Sequence, residues 1–380
     1  MKPGLGDLLL YTADRKCKVP HDKVYALYSA VPKAQETYPL DYTKPIQRVL
    51  TEATAFVIDE PGGGLLLNAF GLRHDRLSNV SYPSWVPDFR YSLAATEVTY
   101  DTSEHRSVIP HELTRAGLAN QNRRNRGSQH SANSFPLPRV GKDLTTLELR
   151  ARNLGPVHTF KFAEQRLLAL TQLLSLFRGD ISGWSHGSAA MTLRAPHDAL
   201  ALRIVRASLI DFKEFDGQSL QAFCQSYQPL AAFLQAGGDL KDFKPTEDQK
   251  LPGSFESLYL KSMDTLVGKT FVLTKGGMFG IGMSEIEDGD ILVIPLDLNC
   301  PLVLRREANS RPESRSDDED CYKIAGMATM DGLTRGLTDK MVEQKEKEGC
   351  LPMRLKELAE FDSKLVQKVK GKKVEKFLLH

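Results

Sequence analysis

TFVLTKGGMFGIGMSEIEDGDILVIPLDLNCPLVLRR, residues 270–306, holds the main argument for the architecture of this 380-residue chain. Its apolar runs of four to six residues are too short for helices, and each ends at turn-forming residues: Gly276-Gly277, Asp288-Gly289-Asp290 and Asn299-Cys300-Pro301. CYKIAGMATMDGLTRG, residues 321–336, resumes the pattern after an acidic loop. Together these segments predict short antiparallel strands forming a small barrel or curled sheet over residues 266–336. The glycines of KGGMFGIG, residues 275–282, lie in this strand-rich block with no helix after them, so they read as a hairpin turn and not as a nucleotide cradle. Neither they nor Gly62–Gly64 match the spacing of a phosphate-binding loop.

Upstream of this block the helical period dominates. Apolar residues in FAEQRLLALTQLLSLF, PHDALALRIVRASLIDF, SLQAFCQSYQPLAAFL and FESLYLKSMDTL predict helices over about 161–261. Just before them, LTTLELRARNLGPVHTF reads as a strand followed by a turn at Gly155-Pro156. Near the amino terminus, TKPIQRVLTEATAFVI places Ile46, Val49, Leu50, Ala53 and Val57 on one helical face, with Thr43 as the N-cap candidate and Pro45 in the first turn. PHDKVYALYSAV, residues 20–31, gives a shorter amphipathic helix through Val24, Leu27, Tyr28 and Val31. YPSWVPDF, residues 82–89, is stiff and extended, with Trp85 as a packing anchor.

The expected fold class is therefore α+β: mainly helical amino-terminal and middle regions with a small antiparallel barrel or curled sheet near the carboxyl terminus. The corresponding division is a helical segment over 1–90, a mainly helical domain over 143–265, the β module over 266–336 and a charged helical tail over 337–380. Between the first two, residues 91–142 are rich in Ser, Thr, Asn, Arg and His and contain NQNRRNRGSQHSANS, which predicts a disordered linker.

Composition narrows the function. The 50 Lys and Arg against 48 Asp and Glu leave a net charge of +2, so no overall field favours nucleic acid or membrane. Six lysines against one glutamate in residues 363–380, together with RRNR at 123–126, leave room only for a local affinity for nucleic acid or an acidic surface. No stretch approaches the roughly 20 apolar residues of a spanning helix. The opening residues are too short an apolar run for a signal peptide, and the five scattered cysteines form no CxxC pair, so a cytoplasmic or nuclear setting is expected.

No spacing defines an active site. His21 and Asp22 are adjacent, and neighbours on a helix point about 100° apart, so they do not form a direct acid-base pair. Pro20 and Asp22 instead suit a helix start. HEL at residue 111 lacks the second histidine of a zinc motif, and Cys224 and Cys300 read as small buried hydrophobes. No cofactor and no metal site are expected. Were the chain an enzyme, carboxylates such as Glu52 or Asp88 would be the candidates.

The order of the segments carries more than any one of them. Pro20-His21-Asp22-Lys23-Val24-Tyr25-Ala26-Leu27, then Asp41-Tyr42-Thr43-Lys44, then Pro83-Ser84-Trp85-Val86-Pro87-Asp88 resembles the region that follows the signature domain of fungal heterokaryon-incompatibility (HET) proteins. The strand-and-turn over 144–160 and the β block over 268–336 are similar to the family's later segments. The resemblance spans about residues 8–90, 144–160 and 268–336. It implies structural roles for Asp22, Lys23, Tyr25, Ala26, Leu27, Asp41, Tyr42, Lys44, Trp85, Pro87, Asp88, Gly280, Gly289 and Asp290. The family's Leu-Ser-Tyr-x-Trp-Gly block occurs nowhere in the sequence, and a TIR-like α/β layer needs on the order of 100 residues or more. The expectation is therefore an accessory region of fungal non-self recognition that binds a protein partner and lacks the effector domain. The alternatives are an NAD(P)-cleaving hydrolase, should an upstream domain exist, and nucleic-acid binding by the basic tail.

Overall fold

A computed structural model describes residues 3–12, 15–59, 83–88, 138–165, 266–283, 285–296, 301–307, 320–333 and 353–380, with a few isolated positions between 168 and 242. Five helices are defined among these residues: α1 (Leu5–Tyr11), α2 (Asp22–Tyr25), α3 (Pro32–Thr37), α4 (Ile46–Asp59) and α5 (Met353–Lys370). The strands are β1 (Arg139–Val140), β2 (Leu147–Lys161), β3 (Thr270–Thr274), β4 (Phe279–Gly282), β5 (Ile291–Pro295), β6 (Leu302–Arg306), β7 (Cys321–Met330) and β8 (Val374–Leu379).

These strands overturn the expectation of a mainly helical chain. Among the described residues the dominant element is an eight-stranded sheet in the order β1-β2-β3-β4-β7-β6-β5, with β8 paired to both β2 and β7 and a further pairing of β2 with β5. The pairings β1–β2, β2–β3, β2–β8, β3–β4, β4–β7, β5–β6 and β6–β7 are antiparallel, and β7–β8 is parallel. The helices are few, and three of the five span seven residues or fewer. Most of the four helices expected over 161–261 and most of the 91–142 linker lie outside the described residues; the isolated positions 168, 169, 172, 229, 232 and 233, inside two of those helices, are helical. The described end of that linker, Arg139–Val140, is strand β1.

Two segments account for much of the difference. The first is β2, which runs fifteen residues straight through Gly155-Pro156, where a turn was expected. Its register explains how: Leu147–Arg152 pair with β8 and Val157–Lys161 pair with β3, so Pro156 falls between the two ladders. There its missing N–H removes no ladder bond. Gly155 takes the accompanying left-handed conformation at φ +97°. The second segment is the tail, which is helical only as far as Lys370. Its last residues form β8, in which Phe377, Leu378 and Leu379 are buried.

The chain divides into two compact units. The first comprises Met1–Leu154, Gly289–Met327 and Lys370–His380. In it α4 packs with α1, α2, α3 and β1, and every residue from Val49 to Ile58 is buried. The expected one-sided stripe is thus a helix enclosed nearly all round. Thr51 and Thr54 tolerate this because each hydroxyl donates to the carbonyl four residues back, Gln47 and Leu50, at 2.8 Å. The helix starts at Ile46, where Arg48 and Val49 donate to the Pro45 carbonyl, so Thr43 does not cap it. The expected helix over 20–31 is a single α turn, α2, followed by tight turns in which Leu27, Tyr28, Ala30 and Val31 each donate to the carbonyl three residues earlier.

The second unit, Gly155–Asp288 with Ala328–Val369, holds the far half of β2 against β3, β3 against β4, and β4 against the end of β7. The expected turn at Gly276-Gly277 joins β3 to β4, with Gly277 at φ +78°. Phe271 and Phe279 meet across these two strands with ring centroids 5.5 Å apart, and both are fully enclosed.

Candidate functional site

In the first unit, the amino-terminal helices gather a cluster of polar and aromatic side chains. Five of the sequence-marked residues meet there: Asp22, Tyr25, Asp41, Tyr42 and Lys44. Asp41 turns the chain between α3 and α4 by accepting from the Thr43 N–H at 2.9 Å and the Thr43 hydroxyl at 2.6 Å. Those two bonds hold its carboxyl below the usual carboxylate range. The Tyr25 hydroxyl donates to the Asp41 carbonyl at 3.0 Å, and the Tyr42 hydroxyl donates to the Asp22 carboxylate at 2.8 Å. That second bond favours the neutral phenol and raises the Tyr42 hydroxyl above its ordinary range. Burial does the same for Tyr25, Tyr28 and Tyr38.

Glu52 lies beneath this layer with 6% of its side chain exposed. Lys44 Nζ donates to both of its carboxylate oxygens, at 3.1 and 2.9 Å, and Arg48 Nε donates to Oε1 at 2.9 Å. Three charge-assisted bonds from two cations make burial of this carboxylate tolerable. They also take up three of its roughly four lone-pair sites, which lowers its availability as a general base. His21 faces the Lys44 carbonyl through Nε2 at 2.8 Å, which places the ring proton on that nitrogen. The ring stands 5.9 Å from Tyr25 and 5.6 Å from Tyr42. His21 and Asp22 therefore have separate partners. Lys23 is buried and donates to the carbonyls of Thr12 and Arg15. Ala26 is exposed and Leu27 is half-buried.

The segment around Trp85 is anchored by its neighbour. The Ser84 N–H and hydroxyl both donate to the His380 carbonyl, and Ser84 Oγ accepts from the Ile324 N–H at 3.1 Å. This fixes Pro83–Asp88 against the end of β8 and against β7. Trp85 is fully enclosed, and Pro87 and Asp88 are buried beside it in sequence.

The three marked residues of the β block each answer a separate physical demand. Gly280, in the second unit, faces β7 so closely that an added Cβ would lie 2.1 Å from the Thr329 carbonyl oxygen. Gly289, in the first unit, has open space around it but sits at φ +88° in the turn before β5. Asp290 is 4% exposed and takes two parallel bonds from Arg305, from Nε and Nη2, each 2.9 Å long. Sequence reading missed Arg305 and Ser84. Arg305 is fifteen residues from its partner, and no local period links the two.

Among the described residues, no group of three or more His, Cys, Asp or Glu side chains could hold a metal ion, and no helix is long and apolar enough to cross a membrane. Comparison with known protein families, curated proteins and solved structures gives no match.

Proposed function

We propose that this chain is a HET-related protein of fungal non-self recognition, acting as a non-enzymatic interaction region for a protein partner. One observation carries the reading. The charged and hydroxyl-bearing residues behind the resemblance are engaged within the chain: Asp22 with Tyr42, Tyr25 with Asp41, Lys44 with Glu52, and Asp290 with Arg305. A catalytic carboxylate or phenol has to offer a lone pair or a proton to substrate, whereas groups held this way fix turns and neutralise buried charge. Such residues suit a scaffold that presents a surface.

Two measurements test this. Purified chain incubated with NAD should release no nicotinamide; turnover that disappears in Glu52→Gln would establish the hydrolase instead. Expressed in a filamentous fungus carrying an incompatible HET pair, the chain should alter cell death where the strains fuse. Unchanged death at equal expression would remove the recognition role.

A further inference from the structure

Arg150 and Arg152 stand two residues apart on β2, so their side chains leave the same face of the strand, with Cα atoms about 7 Å apart. Arg152 is 4% exposed. Its Nη1 donates to the Lys370 carbonyl at 2.8 Å and the Lys372 carbonyl at 2.7 Å, which fixes the guanidinium in place. Nε of Arg152 and Nε of Arg150 are both buried with no hydrogen-bond partner. Among the described residues neither guanidinium meets a carboxylate. Lys376 is directly opposite Arg150 in the ladder and on this face, where its ammonium lies 3.9 Å from Glu148, which by the same alternation shares the face two residues before Arg150. Glu375 pairs with Ala151 in the register, on the other face, and accepts from Asn153 at 2.9 Å.

Buried cations are ordinarily matched by carboxylates, because a carbonyl dipole offsets only part of the lost hydration. Here two arginine side chains leave one strand face, one of them anchored, and each keeps an Nε that no acceptor in the chain takes. Their planar donor forks match the oxygens of a phosphate group, and a dianion would supply the countercharge that neither meets among the described residues. We propose that Arg150 and Arg152 form a binding site for a phosphate group carried by a small molecule, with Arg152 as the preset half of the clamp and Arg150, which is half-buried, as the half that closes on the ligand. Burial, which lowers the Arg152 pKa from its ordinary value, adds to the gain from supplying an anion there.

The full chain titrated calorimetrically with inorganic phosphate and with glycerol 3-phosphate, at constant ionic strength in chloride, should show saturable binding with a Kd below about 10 mM. Arg150→Gln removes donors that hold no other group. It should weaken binding by about tenfold or more while leaving the melting temperature in chloride unchanged. Arg152→Lys should also weaken binding, and Arg150→Gln keeps the test decisive should that variant fold poorly. Absence of saturable binding in the wild type, or equal binding by Arg150→Gln, would overturn the site. So would salt-dependent binding of a single-stranded oligonucleotide with no response to either phosphate, which would assign the positive face to a nucleic-acid backbone.

Discussion

Gly280→Ala should damage this protein far more than Gly289→Ala, although both glycines belong to the same block. At Gly280 the new methyl would meet the Thr329 carbonyl oxygen at 2.1 Å, Met330 Sδ at 2.7 Å and Met330 Cα at 2.9 Å. The closest of these is backbone, so no rotamer change relieves it. β4 and β7 would have to part by about 1 Å, enough to stretch their hydrogen bonds beyond useful length. The pairing comprises only Gly280 with Met330, Ile281 with Thr329 and Gly282 with Ala328. Losing two or three buried bonds at about 1 kcal/mol each, plus the overpacking strain, gives a cost of at least about 3 kcal/mol. At Gly289 nothing lies within 4 Å, and the penalty is the left-handed backbone alone, about 1 kcal/mol. The gap of about 2 kcal/mol corresponds to roughly thirtyfold in the unfolding equilibrium. Because the chain has two compact units, urea midpoints should be read with native-state amide exchange at Ile281 and Thr329, not from one global curve. Equal midpoints for the two variants, or unchanged protection at Ile281 in Gly280→Ala, would refute the close approach of β4 to β7.

Three further outcomes follow from named contacts. Asp290→Ala should lower stability by about 2–3 kcal/mol in urea titration, at or below the low end of the range for a fully buried pair, because Arg305 is one-quarter exposed and recovers some hydration. Ser84→Ala leaves the Ile324 N–H without its acceptor in a buried position and should cost about 1–3 kcal/mol, with faster amide exchange at Ile324. Burial favours the neutral phenols of Tyr25, Tyr28 and Tyr38 in the folded state, so their contribution is intact below about pH 10 and falls as pH rises above it. Absorbance at alkaline pH should show these three ionising above the ordinary tyrosine range, and Tyr28→Phe should reduce the alkaline loss of stability.

The sequence disclosed those parts of the fold that depend on near neighbours. The apolar period of 46–57 marks α4, and the breaks at Gly276-Gly277 and Asp288-Gly289 mark real turns, because helical period and turn chemistry act over a few residues. What stayed hidden depends on partners far along the chain. Gly155-Pro156 has the composition of a turn, and only the arrival of β3 and β8 on either side of it makes an uninterrupted strand the better solution. In the tail, charge and helical period dominate up to Lys370, while the strand character of VEKFLL is satisfied by a β2 segment more than two hundred residues earlier. The candidate site shows the same division. Arg48 and Glu52 sit at helical i, i+4 spacing and are legible as a pair, but Lys44 reaches Glu52 from outside the helix, and Arg305 reaches Asp290 across two strands.

The marked residues therefore carry information of a particular kind. Gly280 is required by a close backbone approach, Gly289 by a left-handed turn, Asp290 as the buried partner of Arg305, Lys44 as a cation that neutralises the buried Glu52, and Asp41 by a side-chain-capped turn. Each is a demand of folding, and each would be met in the same way whatever the protein recognises. A pattern made of such positions reports on folding and leaves any binding face unspecified. Binding is better sought where buried charge is left without a countercharge. Arg150 and Arg152 are such a place: neither meets a carboxylate among the described residues, both Nε atoms are unbonded although Arg152 is anchored through Nη1, and no marked residue is among them.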